Sequence, residues 1–157
     1  MNGIKALALD VDGVLTDGGV WWGPEGQEWK RFCFADIMGV SRALKAGLIV
    51  ALISGEDSPL VDRFAQKLGI RYVEKGCKDK ASALKKFAGE ATLNVHEICF
   101  MGDDVNDLAA MRLAGKAAAP ADAQPEVCSA AAFVSTRKGG NGAVRELIEA
   151  ILAVRQQ

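Results

Sequence analysis

Short, almost wholly apolar runs alternate with helical patterns along this chain, and that alternation restricts the folds open to it. Ile4–Leu9, Leu48–Ile53, Ile70–Val73 and Ile98–Met101 read as strands, as do Lys116–Ala119 and Ala131–Val134. Between them, Leu60, Val61, Phe64, Ala65 and Leu68 fall on one helical face, and Leu84, Phe87, Ala88 and Ala91 on another. Val144, Leu147, Ile148, Ile151 and Leu152 mark a last amphipathic helix. Strands this apolar must be covered on both faces. The pattern therefore predicts an α/β fold, a doubly wound, Rossmann-like parallel sheet with helices on either side. The 157 residues suit one domain over 1–157, with half of them apolar and no repeat, linker or low-complexity tract to divide it.

The first run ends in Asp10-Val-Asp12-Gly13-Val-Leu-Thr-Asp17. Open α/β sheets hold ligands beyond the carboxyl ends of their strands, where these acids stand. Paired acids on a buried strand end need a cation, a proton or a reaction to offset their repulsion. Three more stations follow in order. Ser54-Gly55 ends the second strand, Lys80 opens the helix after the third, and Gly102-Asp103-Asp104-Val-Asn-Asp107 ends the fourth. In a doubly wound sheet these ends converge on one crevice. Asp10, Asp12, Asp103, Asp104 and Asp107 together cannot stay ionised without a cation, and hard oxygen donors suit Mg²⁺. Such a cation would let a carboxylate approach a phosphate dianion. One aspartate can attack phosphorus, and a second acid can protonate the leaving alkoxide and later activate water. Ser54 can hydrogen-bond a phosphoryl oxygen, and Lys80 adds a fixed positive charge.

This order of motifs resembles the haloacid dehalogenase superfamily of phosphohydrolases, over nearly the whole chain. The resemblance implies a nucleophile at Asp10 and an acid/base at Asp12. Ser54, Lys80 and the Gly102–Asp107 stretch match the second, third and fourth motifs. It further implies Mg²⁺ held by Asp10, the backbone carbonyl of Asp12, and Asp103, with Asp104 and Asp107 in support. About forty residues separate the first two motifs, which leaves no room for a cap domain. In its place Gly18–Phe34 reads as a projecting hairpin, with Pro24 and Gly26 at its turn. A two-stranded ribbon is marginal alone. Trp21, Trp22 and Trp29 therefore need cover, either from this chain's own surface or from a neighbouring subunit.

The hairpin and the stretch Arg137–Glu146 narrow the resemblance to capless sugar-acid phosphatases, which act on 3-deoxy-octulosonate 8-phosphate (KDO 8-phosphate) or on nonulosonate 9-phosphates of the sialic acid type. Members are tetramers in which a neighbouring subunit helps close each active site. Octulosonate enzymes carry a basic residue directly after the second-motif glycine; here Glu56 follows Gly55. Glu56 and Lys67 resemble the nonulosonate branch, so the substrate expected is a nine-carbon sugar-acid phosphate, with KDO 8-phosphate as the alternative. Substrate contacts are expected from Ser54, Gly55, Glu56, Lys67 and Lys80. A solvated loop acid is the plain alternative for Glu56. Asp36-Ile37 also departs from the Asp-Gly of octulosonate enzymes. Gly139-Gly140-Asn141-Gly142 reads either as a flexible turn or as a loop near an active site.

Other classes fit less well. A net charge of -1, from 19 basic and 20 acidic residues, gives no electrostatic case for nucleic acid or anionic membrane. No apolar run spans a bilayer, and the first residues lack the build of a signal peptide, so a cytoplasmic enzyme is expected. Cys33, Cys77, Cys99 and Cys128 are scattered and His96 is the single histidine, an arrangement unsuited to zinc. His96 reads as a surface residue. A calcium loop would need an acid where Val14 stands. No G-x-G-x-x-G follows a strand, so no dinucleotide site is expected. A signalling receiver domain shares the acids, lysine and Mg²⁺, but its phosphorylated aspartate sits on a middle strand. Asp12 separates the two, because a hydrolase needs an acid/base beside its nucleophile. A silent assembly domain would not keep all four motifs intact.

Overall fold

A computed structural model of the chain describes residues 1–155. The chain runs β1 (Ala6–Leu9), β2 (Trp21–Trp22), β3 (Glu28–Trp29), α1 (Phe34–Lys45), β4 (Ile49–Ile53), α2 (Pro59–Leu68) and β5 (Tyr72–Glu74). It continues with α3 (Lys80–Glu90), β6 (Ile98–Met101), α4 (Leu108–Leu113), β7 (Lys116–Ala119), α5 (Pro125–Ala130), β8 (Phe133–Val134) and α6 (Ala143–Arg155). Six strands form one sheet in the order β5-β4-β1-β6-β7-β8, every neighbouring pair parallel. Winding moves outward from β1 to β5, then returns to the other side of β1. That reversal opens a crevice beyond the carboxyl ends of β1 and β6.

The pleat of β1 divides the core. Leu7 and Leu9 face one layer with Val50, Leu52, Val40, Phe64 and Leu147, under α1, α2 and α6. Ala6 and Ala8 face the other with Ala51, Ile53, Leu84, Phe87 and Phe100, under α3, α4 and α5. Small residues on this second face leave the room that Phe87 and Phe100 fill. The expected doubly wound sheet is thus present, and α2, α3 and α6 bury the faces their sequences mark.

The start of β5 moved for a local reason. The strand expected at Ile70 starts at Tyr72, because Gly69 ends α2 in the left-handed region at φ 69° and Ile70 N donates to Ala65 O at 2.9 Å. Ile70 therefore completes the helix end. Helices α1, α4 and α5 were not marked by the apolar pattern. The first turn of α1 carries Asp36, which is buried and accepts from Gly142 N at 3.1 Å and Arg145 N at 2.9 Å. It caps α6 across 106 residues of sequence and clamps the two helices together. Exposed His96 lies on a 3₁₀ turn before β6, as expected.

The hairpin forms, but its strands are only two residues each, pairing Trp21 with Trp29 and Trp22 with Glu28. Trp21, Trp22 and Trp29 are 57%, 74% and 53% exposed, so the chain's own surface does not cover them. Among the described residues no helix is long and apolar enough to cross a membrane.

Candidate active site

Three strand ends and one helix start build the site. Asp10 N donates to Met101 O at 3.0 Å, which extends the β1–β6 pairing to the first acid. The chain then closes a tight loop, with Leu15 N and Thr16 N both donating to Val11 O at 2.9 and 3.0 Å. Buried Thr16 pins the loop from inside, its Oγ1 accepting from Gly13 N at 3.3 Å and Gly18 N at 3.2 Å. Gly13 sits at φ +83°, and a Cβ there would be driven into the Asp103 carboxylate. Only glycine lets this backbone come so close to Asp103.

Beyond β4, fully buried Ser54 accepts from Glu56 N at 3.2 Å, which leaves its own hydroxyl proton to donate. Beyond β6, Asp107 turns back on its own loop. Its Oδ2 accepts from Asp103 N at 2.9 Å and Asp104 N at 3.3 Å. Lys80, at the start of α3, reaches between two acids. Its Nζ lies 2.8 Å from Asp10 Oδ1 and 2.6 Å from Asp107 Oδ1, with the side chain 2% exposed.

Carboxylate oxygens of Asp10, Asp103 and Asp107 all lie within 4.8 Å of one another. Burial, then the charge of Asp107, pushes the Asp10 carboxyl up to about 6 in spite of Lys80. Burial, then the charges of Asp10 and Asp107, pushes Asp103 up to about 8. Burial works against the Lys80 ammonium, but Asp10 and Asp107 outweigh it and hold its pKa above the ordinary value. One ammonium facing three carboxylates leaves an excess of negative charge. Hard oxygen donors at this spacing fit a divalent cation such as Mg²⁺. Asp107 is engaged by Lys80 and two backbone N–H groups, so Asp10 and Asp103 have the oxygens left for it.

A cavity of ≈ 270 Å³ opens over this cluster. Of the residues singled out from sequence, Asp10, Asp12, Gly55, Glu56, Lys80, Asp103 and Asp104 line it. Ser54 and Asp107 are buried with no exposed surface. Gly13, Gly18 and Asn106 also line the cavity and were not anticipated. Lys67 is the exception. It lies near the far end of α2, about 12 Å along the helix from Pro59 at 1.5 Å per residue. There it lines a separate cavity of ≈ 250 Å³ with Phe32, Arg63 and Phe64. The expected contact of Lys67 with substrate is therefore not offered within one chain's crevice.

One further pairing was not read from the sequence. Lys30 Nζ lies 2.8 Å from Asp12 Oδ1, a pairing no motif announced; the signal was a lone lysine closing an aromatic ribbon next to an acidic loop. The glycine stretch packs against the loop after Asp10 in the same chain. Gly140 N donates to Val14 O at 2.9 Å, and Arg31 Nη2 donates to Gly140 O at 3.0 Å.

Comparison with known proteins agrees with this arrangement. Residues 69–147 match the family model of haloacid dehalogenase-like hydrolases. The 3-deoxy-D-manno-octulosonate 8-phosphate phosphatase KdsC of Escherichia coli K12 is 36% identical over 149 residues, covering 95% of this chain and 79% of the relative. A crystal structure of the corresponding phosphatase from Moraxella catarrhalis, in complex with magnesium ion, phosphate ion and KDO, superposes with a TM-score of 0.94. It is 37% identical, over 96% of this chain and 87% of that one. The cobalt-bound deoxy-D-mannose-octulosonate 8-phosphate phosphatase of Haemophilus influenzae gives a TM-score of 0.95 at 35% identity, over 98% and 90%. With the fold, the acid cluster and these relatives in agreement, the chain belongs to the haloacid dehalogenase-like hydrolases, in their sugar-acid phosphatase branch.

Proposed function

We propose that the chain is a Mg²⁺-dependent phosphatase that removes the terminal phosphate of a 2-keto-3-deoxy sugar acid, and that the substrate is 3-deoxy-D-manno-octulosonate 8-phosphate. The observation that carries the reading is buried Asp10, held by Lys80 and facing the cavity beside Asp103. Asp10, the Asp12 carbonyl and Asp103 would hold Mg²⁺, with Asp104 and Asp107 in support. The cation would supply charge that neutralises the phosphoryl oxygens.

The chain's own groups do the rest. An Asp10 carboxylate oxygen attacks phosphorus, the bond from phosphorus to the sugar oxygen breaks, and the departing alkoxide takes a proton from Asp12. Asp12 then accepts a proton from water, which attacks the aspartyl phosphate, releases inorganic phosphate and restores Asp10. Lys80 keeps Asp10 ionised and aimed, and Ser54 and Gly55 bind phosphoryl oxygens. The Asp12 requirement separates this reading from a phosphate-holding receiver.

The relatives named above act on the eight-carbon sugar acid, and this favours KDO 8-phosphate over the nine-carbon substrate that Glu56 pointed to. One observation keeps the second reading in view: Glu56 lines the cavity, where a carboxylate can accept hydrogen bonds from sugar hydroxyls or an amine. The exposed tryptophans support a homotetramer, in which Lys67 is free to serve a neighbouring copy's crevice. Steady-state kinetics with Mg²⁺ on eight- and nine-carbon sugar-acid phosphates test the proposal. KDO 8-phosphate should give the higher kcat/KM, and Glu56→Arg should widen its lead. Preference for the nine-carbon substrate would replace the first reading with the second, and a ratio unmoved by Glu56→Arg would remove Glu56 as a specificity residue.

A further inference from the structure

Asp12 is not one of the three carboxylates that converge on the cation position. Its side chain meets the hairpin instead. Lys30, the residue after β3, places Nζ 2.8 Å from Asp12 Oδ1, and the Lys30 side chain is only 5% exposed. The same ammonium lies 3.5 Å from Glu28 Oε1. Glu28 is held twice more. Its Oε1 accepts from Ser58 Oγ at 3.0 Å, and its Oε2 accepts from Trp22 Nε1 at 3.2 Å. Ser58 is the N-cap of α2, on the loop that begins with Ser54. The series Asp12, Lys30, Glu28, Ser58 thus joins the loop after β1, the hairpin and the loop after β4.

A cavity of ≈ 260 Å³ runs along this series, lined by Trp22, Glu28 and Lys30. It shares Asp12, Gly18 and Glu56 with the cavity over the acid cluster, so the two adjoin on the side of Asp12. An acid/base has to present one oxygen to the leaving-group atom, and a misplacement of about 1 Å costs on the order of 10²-fold. A carboxylate on a loop has two free torsions. A lysine that is itself anchored removes that freedom, because it engages Oδ1 and leaves Oδ2 for the reaction.

We propose that Lys30 is a positioning residue for Asp12, fixing its carboxylate toward the leaving-group cavity and making that geometry depend on the hairpin. The inference rests on the acid/base role proposed for Asp12. The test compares kcat on an alkyl phosphate, the sugar-acid phosphate, with kcat on p-nitrophenyl phosphate, whose phenolate departs with little proton assistance. Lys30→Met keeps the aliphatic stem and should lower the alkyl-to-aryl ratio of kcat by about 10- to 100-fold, with KM little changed. Lys30→Arg should recover most of the ratio, and Lys30→Met should add no further loss to Asp12→Asn. Equal losses on both substrates, or a loss confined to KM for the sugar acid, would overturn the inference. An Asp12→Asn ratio equal to that of the unaltered enzyme would instead overturn the acid/base reading, and the positioning role with it.

Discussion

Binding of Mg²⁺ should expel protons, because the carboxyls that would hold it are the ones whose protonated forms the fold favours. Asp10 titrates at about 6 and Asp103 at about 8, and both must be ionised to act as ligands. At pH 7 the cluster as a whole then holds about one proton beyond full ionisation, so binding should release about one proton. The release should rise to about two at pH 5 and fall to about 0.1 at pH 9. The count refers to the cluster as a whole and does not depend on which carboxyl held each proton. The sign carries over to stability. Folded pKa values raised above the ordinary carboxylate value give a contribution fully present below that value. It is lost as pH rises through about 6 for Asp10 and about 8 for Asp103. The gain in Tm on adding Mg²⁺ should therefore grow between pH 5 and pH 8. Titration calorimetry in buffers of differing ionisation enthalpy measures the proton count directly. A count near zero at pH 6 to 7, or one that rises with pH, would refute the reasoning.

Lys80 carries a related expectation. Removing one partner of a buried ion pair costs about 3–5 kcal/mol, so Lys80→Met should destabilise the chelator-treated protein by that order at pH 8. The loss should be smaller at pH 5, where Asp10 can take up a proton in place of the ammonium; denaturant unfolding at the two pH values checks this, and a pH-independent loss counts against it. Replacing Trp21, Trp22 and Trp29 with polar residues should yield species smaller than those of the unaltered protein, proposed to be a tetramer, by light scattering. An unchanged assembly would remove the hairpin as its driver.

The chemistry was more legible in the sequence than the geometry that controls it. Asp10, Ser54, Lys80 and Asp103 each end a strand or begin a helix, so apolar periodicity located them and the doubly wound order brought them together. Ile70 was misread as strand because an apolar residue that closes a helix end looks the same as one that opens a strand. Helix α1 escaped notice because it begins inside an aromatic stretch that also suits the hairpin, and Asp36, which caps α6, is a contact between distant parts of the chain. Lys67 shares sequence proximity with Ser54 and Glu56, but a ten-residue helix carries it away from them. Lys30 belongs to the same class as Asp36: its role comes from a pairing that no spacing encodes.

Asp10 should be the group phosphorylated during turnover. Acid quenching of the Mg²⁺-loaded enzyme during hydrolysis of KDO 8-phosphate, followed by peptide mass spectrometry, tests it directly. A phosphoryl adduct is expected on the peptide that carries Asp10, and Asp10→Asn should show neither adduct nor turnover, with a loss of at least about 10³-fold. An adduct on another residue, or Mg²⁺-dependent turnover that survives Asp10→Asn, would contradict it.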